Sequence, residues 1–264
     1  MLPAATDASV ADTGAADVAD AGEPDAGEPD AGEPPPAPKL TDAADYLVTV
    51  RTRDWNAPEG TLARFRREGG AWVRDAEDIS IILGRSGVGW GRGLHGEGAV
   101  IGHDGPVKHE GDGRSPAGAF WLDHALGYAA SAPVGTRIAY QPMTPTLQCI
   151  EDEASAYYNR IVDRAVIAPD WDSTDRLLRA DGLYELLVFV NQNVDPAPIA
   201  GRGSCILLHV WSSATTPTAG CTSMPRAALQ NVIQHLAPER NMLVQLPSAV
   251  YDGLAESWGL PLGG

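Results

Sequence analysis

The apolar runs of this chain are short, and glycine or proline cuts most of them before they reach helical length. Residues 46–52 place Leu47, Val48 and Val50 in a β-branched run and read as a strand. Residues 61–67 and 71–74 alternate on either side of Gly69-Gly70, the pattern of a hairpin. Another apolar run, 79–83, stops at Gly84. From Gly84 to Gly118 glycine recurs so often that regular structure there is expected to be brief. Strands are expected again at 184–191, 204–211 and 242–246. Helical spacing is expected in three places. In 154–164, Tyr158, Ile161 and Val162 share one side behind an Asp152 or Glu153 cap. In 225–236, Ser223 is the cap and Pro225 sits early; the third stretch is 248–258. With 29 Gly and 21 Pro among 264 residues, the pattern predicts a mainly β single domain with a few helices.

Residues 1–40 are of a different kind. Asp20-Ala21-Gly22-Glu23-Pro24 recurs at 25–29 and at 30–34, followed by Pro35, Pro36 and Pro38. Such a segment has almost no apolar surface to offset the entropy of ordering it. Its prolines and like charges predict an extended spacer. The chain therefore divides into an acidic tail or linker, 1–40, and a folded domain, 41–264. Of the net charge of −16, −8 falls on residues 1–39. This acidity argues against nucleic acid and against an anionic membrane surface as partners. No apolar run is long enough to span a bilayer, and no charged segment followed by an apolar one opens the chain, so no export signal is present in it. A spacer of this composition is expected just behind such a signal, as a linker anchoring the domain to membrane or wall. That expectation places the domain outside the cytoplasm, in the periplasm or cell envelope.

Three cysteines are present, and an odd count in an exported protein points to one disulfide and one free thiol. Cys205 falls inside an expected strand and Cys149 in a loop context. They form the bridge, or both are reduced and act as small buried apolar side chains. Cys221 differs. It lies in Thr218-Ala219-Gly220-Cys221-Thr222-Ser223-Met224-Pro225, immediately before an expected helix, where unpaired amides would favour a thiolate and an oxyanion. His209 closes an apolar strand upstream, and a strand, a loop and a return could bring its imidazole to the sulfur. Cysteine plus histidine is the minimum for nucleophilic acyl transfer.

The order His209-Val210-Trp211 … Thr218-Ala219-Gly220-Cys221-Thr222 resembles the catalytic signature of the L,D-transpeptidase catalytic-domain (YkuD-type) family. Lys108-His109-Glu110-Gly111-Asp112-Gly113-Arg114-Ser115-Pro116-Ala117-Gly118-Ala119-Phe120 resembles a second block of that family, and Gly84-Arg85-Ser86-Gly87-Val88-Gly89-Trp90-Gly91 the glycine-rich stretch ahead of it. Tyr158-Asn159-Arg160-Ile161-Val162-Asp163 is similar to a segment of one branch. The chain departs from the common pattern at Val210, Ala219 and Ser223, where many members have Gly, His and Arg, and so resembles a divergent branch.

The resemblance implies a β-sandwich or barrel of the L,D-transpeptidase catalytic-domain type. It also implies a transferase of cell-wall biogenesis that acts on peptidoglycan stem peptides. Cys221 would attack the carbonyl of the third stem residue and His209 would shuttle the proton. The amides of Gly220, Cys221 and Thr222 would steady the oxyanion, and an amine would resolve the thioester. With water as acceptor the same site would be an L,D-carboxypeptidase. A non-catalytic wall-binding module is the alternative from another class. Candidates to fix the imidazole tautomer are a backbone carbonyl, Ser212 or Ser213.

The remaining marked residues read as follows. Arg85, Lys108 and Arg114 are loop cations that are either simply solvated or capture a stem-peptide carboxylate. Trp90 and Trp211 are groove walls or core residues. The glycine run at 84–93 lacks the Gly-Lys-Ser/Thr of a phosphate loop, so no nucleotide is expected. His95, His103, His109 and His124, with Asp104, Asp112 and Asp123, match no standard zinc spacing and read as solvent-exposed loop residues. No metal or organic cofactor is expected.

Overall fold

The computed structural model describes residues 37–262, so the repeat-bearing spacer falls, but for its last few residues, outside the described residues. A short 3-10 turn, Leu40–Ala43, leads into β1 (Tyr46–Thr52), β2 (Glu59–Glu68), β3 (Ala71–Arg74) and β4 (Ile79–Ile82). The glycine-rich stretch holds only β5 (Val88–Trp90), β6 (Arg92–Gly93) and β7 (Gly96–Glu97) before the long β8 (Ser115–Gly127). Then come β9 (Ala139–Pro142), β10 (Leu147–Ile150), β11 (Ile161–Asp163), β12 (Thr174–Arg176), β13 (Leu186–Val190), β14 (Leu207–Val210) and β15 (Thr222–Met224). Helix α1 (Arg226–His235), β16 (Asn241–Pro247) and helix α2 (Ser248–Trp258) complete the chain.

Eight of these strands close a barrel in the order β1, β16, β8, β13, β14, β15, β4, β2, with β2 pairing back onto β1. Strand β3 extends β2, while β5 and β9 pair with β8. A separate three-stranded sheet, β11-β10-β12, stands beside the barrel. Closure removes the unpaired strand edges that an open sheet would expose. Most barrel neighbours are antiparallel, but β1 with β16 and β14 with β15 run parallel. Among the described residues no helix is long and apolar enough to cross a membrane.

The short strands around Gly69-Gly70 and the bounds of β1 and α2 agree with the pattern in the sequence. Four expectations are corrected. Residues 154–164 form turns followed by β11, not a helix. There Asp152, Ser155 and Asp163 accept the nearby amides of Ala154, Tyr157 and Ala165. Those local side-chain bonds replace the helical ones, and Asn159 takes a positive φ of 57°. Ser223 is not a helix cap, because it lies in β15; α1 begins only after Pro225 and has no side-chain cap bond. Cys149 is inside β10, not in a loop, and Cys205 precedes β14 at φ 54°, not inside a strand. His95 is not a solvent-exposed loop residue: it is half-buried, its ring packed near Phe120, Trp258 and Trp90, and Trp90 is fully buried, the core reading of its two.

Two apolar cores follow from the alternation of the strands. The larger takes Leu186, Val188, Val190, Leu208 and Met224 together with Leu229, Val232 and Ile233 of α1. The smaller takes Leu187, Phe189, Leu207 and Leu126 from the opposite face of the same strands, with Cys149 and Cys205. On β13 and β14, successive residues therefore alternate between the two cores.

His95 sits where Gly118, at φ 135°, leaves room for its ring; a Cβ there would overlap the imidazole. Nδ1 accepts the Ala119 amide at 3.1 Å, while Nε2 is buried without a partner. Burial holds the ring's pKa down to about 4. Because the folded value lies below the unfolded one, the neutral ring contributes stability in full above about pH 6.5. That contribution is lost as the pH falls towards 4. The expected loss is roughly 3 kcal/mol. Urea unfolding at pH 7 and pH 4 should show a smaller acid loss in His95→Gln than in the wild type. Equal losses in the two would contradict the assignment.

Candidate active site

Parallel pairing of β14 with β15 builds the site. Leu208 lies beside Thr222, His209 beside Ser223 and Val210 beside Met224. Side chains alternate along a strand, and laterally paired residues point the same way. Leu208 and Met224 face the larger core, and Leu207 faces the smaller one. His209 and Ser223 therefore share the face of Leu207. Cys221, two residues before Ser223, packs against the smaller core on that face too. The histidine and the cysteine are diagonal neighbours across one strand pair, brought there by register.

The turn ahead of Cys221 is fixed by all three glycine-containing motifs. Arg85 donates its amide to the Thr218 carbonyl at 2.9 Å, and Ser86 donates to the Gly113 carbonyl at 2.9 Å. Ser115 and Thr218 both donate their hydroxyls to the Cys221 carbonyl, at 2.9 and 2.6 Å. Ser115 in turn accepts the Gly84 amide. Gly220, at φ 154°, brings the main chain within 3.0 Å, measured from where a Cβ would stand, of the Arg114 carbonyl. A side chain there would crowd that carbonyl.

Cys221 is the free cysteine, whereas Cys149 and Cys205 are joined in a disulfide. The bridge spans 56 residues in sequence, a separation for which loop entropy alone gives about 4 kcal/mol. It ties β10 to the segment entering β14. That segment is also held by Asn159, whose side chain accepts the Cys205 amide at 2.9 Å and donates to the carbonyls of Gln192 and Asn193. The Cys221 thiol in turn points to the Cys205 carbonyl at 3.7 Å.

Cys221 opens on a cavity of about 340 Å³. Its walls carry Glu110, Glu151, Glu153 and Asp175, and one cation, Lys108. A neighbouring cavity of about 210 Å³ is lined by His209 and Arg179, and Tyr184 and Ala219 line both. The Tyr184 ring stands edge-on to the His209 ring at 5.2 Å, and its hydroxyl donates to Asp175 at 2.7 Å. His209 Nδ1 lies 2.7 Å from the Val210 carbonyl. A carbonyl can only accept, so Nδ1 carries the proton and Nε2 is the free base. Of the candidates for fixing the tautomer, the backbone carbonyl does so, while Ser213 bonds to Thr215 and Thr216.

The electrostatics differ from those expected at a helix start. Burial pushes the Cys221 thiol up to about 12, with Asp175 and Glu151 acting in the same direction and Lys108 against them. Burial also lowers the pKa of His209. The resting pair is thus a neutral thiol and a neutral imidazole. The helix terminus does not reach the sulfur, because β15 intervenes between Cys221 and α1. Glu151 is raised to about 7, first by burial and then by Asp175 and Glu110. The Gly220 amide is donated to Thr218 Oγ1 at 3.1 Å, so it is engaged and not free for an oxyanion. Thr222 turns its hydroxyl to Gln245 on the larger-core side.

Of the loop cations, only Lys108 reaches the Cys221 cavity. Arg114 donates to the Trp55 and Val88 carbonyls and to Asn56, and Arg85 to the Gly111 carbonyl. Trp211 is half-buried beside β15, its amide bonded to the Met224 carbonyl. Neither arginine nor Trp211 lines the two cavities. The sequence reading missed Tyr184 and the carboxylate wall. The run Glu151-Asp152-Glu153 directly after Cys149 and Ile150 was the available signal, read instead as a helix cap. Among the described residues no group of three or more His, Cys, Asp or Glu side chains could hold a metal ion. No family model, curated protein or solved structure matches this chain.

The hydroxyl anchors make a direct prediction. Thr218→Val removes one donor to the Cys221 carbonyl and the acceptor of the Gly220 amide. The cost should be about 1 to 3 kcal/mol of unfolding free energy. Alkylation of Cys221 by a small reagent should change rate severalfold as the turn loosens. Unaltered stability and labelling would show that the turn is held by other contacts.

Proposed function

We propose that the chain is a cysteine acyltransferase of the L,D-transpeptidase type, acting on peptidoglycan stem peptides outside the cytoplasm. One observation carries this reading. A parallel strand pair puts a free thiol and the basic nitrogen of a histidine on the same face, with a cavity beside each. The hydrogen bonds that join the glycine-rich stretch and the Gly-Asp-Gly block to the Cys221 turn support it. So does the mainly β barrel, which suits a fold of the L,D-transpeptidase catalytic-domain kind. The Cys149–Cys205 disulfide supports a location in an oxidising compartment.

In this reading the donor peptide lies in the cavity at Cys221 and the acceptor amine approaches from the side of His209. Attack starts from the neutral pair. As sulfur bonds to the carbonyl carbon of the third stem residue, its proton passes to His209 Nε2. When the tetrahedral intermediate collapses, the carbon–nitrogen bond to the terminal D-amino acid breaks. The leaving amine takes the proton from Nε2, and a thioester remains. The acceptor amine then gives a proton to Nε2 and attacks the thioester; the carbon–sulfur bond breaks, the sulfur takes that proton from Nε2, and the Cys221 thiol is regenerated. Concerted transfer suits a thiol whose burial disfavours a free-standing anion.

Exchange of a labelled D-amino acid into a stem tetrapeptide tests the proposal. Cys221→Ala should abolish exchange, and His209→Gln should lower it by about 10² to 10⁴, both with unchanged circular dichroism. Exchange that survives in Cys221→Ala would remove Cys221 as nucleophile. Release of the terminal residue without exchange would identify the L,D-carboxypeptidase instead. No turnover by folded wild-type protein would favour the wall-binding module.

A further inference from the structure

Lys108 is a nearly completely buried cation, 3% exposed. A buried ammonium is costly unless it is paired. Its Nζ donates to Asp112 Oδ1 at 3.0 Å and to the His109 carbonyl at 3.3 Å. Asp112 is itself held by the amides of His109 and Arg114, each at 2.8 Å. The Gly-Asp-Gly turn therefore folds a carboxylate onto the ammonium and fixes it in place. On its other side the ammonium borders the nucleophile turn: a Cβ on Gly220 would stand 3.6 Å from Nζ. Two of its three N–H groups have acceptors among the described residues, and Lys108 lines the Cys221 cavity.

The groups around the sulfur make this cation distinctive. Asp175 and Glu151 oppose charge on Cys221, and Glu110 and Glu153 line the same cavity. Tyr184 is kept neutral, its hydroxyl held above the ordinary phenol range by burial. Arg179 is committed to Asp181 and Asp175. His209 is neutral and lines the neighbouring cavity, which shares Tyr184 and Ala219 with that of Cys221.

We propose that Lys108 is a positioning residue that governs the charge on Cys221, with Asp112 tempering it. The ammonium supplies the positive field that the distant helix terminus does not. Stem-peptide carboxylate capture is then not its main task. The inference rests on Cys221 being the nucleophile of the proposed function, but its test needs no substrate, so the two fail separately.

The test is the pH profile of Cys221 alkylation by iodoacetamide, a neutral reagent, in the full chain with the disulfide intact. Removing the ammonium by Lys108→Met should move the profile up by about one unit, a tenfold slower reaction at fixed pH. Removing the opposing carboxylate charge by Asp112→Asn should move it the other way, with severalfold faster labelling. A loss of packing alone would not give opposite shifts. Two shifts of the same sign, or none, would overturn the proposal. Should Lys108→Met fail to fold, Asp112→Asn decides by itself: a downward shift supports the role, and an unchanged or upward shift overturns it.

Discussion

The parallel hydrogen-bonding register between Leu207–Val210 and Thr222–Met224 is the constraint on which the rest of this structure depends. A one-residue slip would turn His209 into the larger core and leave Cys221 on the opposite face. The register is secured from both ends. Ser115 and Thr218 grip the Cys221 carbonyl, and Ser223 donates to the Ile82 carbonyl across the joint with β4. On the other side Leu187 pairs with His209 and Phe189 with Leu207. Barrel closure leaves neither strand free to shift.

The same arrangement sets the surroundings of Cys221. The face that carries Cys221 packs against a second core and a disulfide and opens on a carboxylate-lined cavity, so the sulfur is half-buried and its ionisation is disfavoured. That environment protects a thiol at rest and strengthens each nearby charge. Reactivity then depends on the few groups that face the sulfur: an imidazole with its proton fixed on Nδ1, and an ammonium clamped by a turn. The motif blocks, far apart in sequence, are adjacent because they build the Cys221 turn and its supports.

Much of the fold was legible. Leu47, Val48 and Val50 mark β1, Gly69-Gly70 marks the hairpin, and the apolar spacing of Val250, Tyr251, Leu254 and Trp258 marks α2. The approach of His209 to Cys221 by way of a strand, a loop and a return was also legible, and parallel pairing puts the two on one face. What stayed hidden required tertiary contacts. The residues at 154–164 have helical spacing, but their Asp and Ser side chains bond their own backbone. β8 runs straight through Gly118, where the sequence suggested only brief structure, since His95 fills the space that a Cβ would need. Ser223 looked like a helix cap, yet parallel pairing with β14 claims it. Tyr184 gave no local signal, and the Glu151-Asp152-Glu153 run gave one whose significance comes only from meeting the sulfur across the fold.

The central claim is that the Cys221 sulfur becomes covalently acylated. Its most direct test is intact-mass measurement of acid-quenched protein after incubation with a stem tetrapeptide, followed by peptide mapping. The account predicts one acyl adduct, lacking the terminal D-amino acid, on the peptide that contains Cys221 and removable by hydroxylamine. Product formation with no adduct on that peptide, or with the acyl group on another residue, would contradict it.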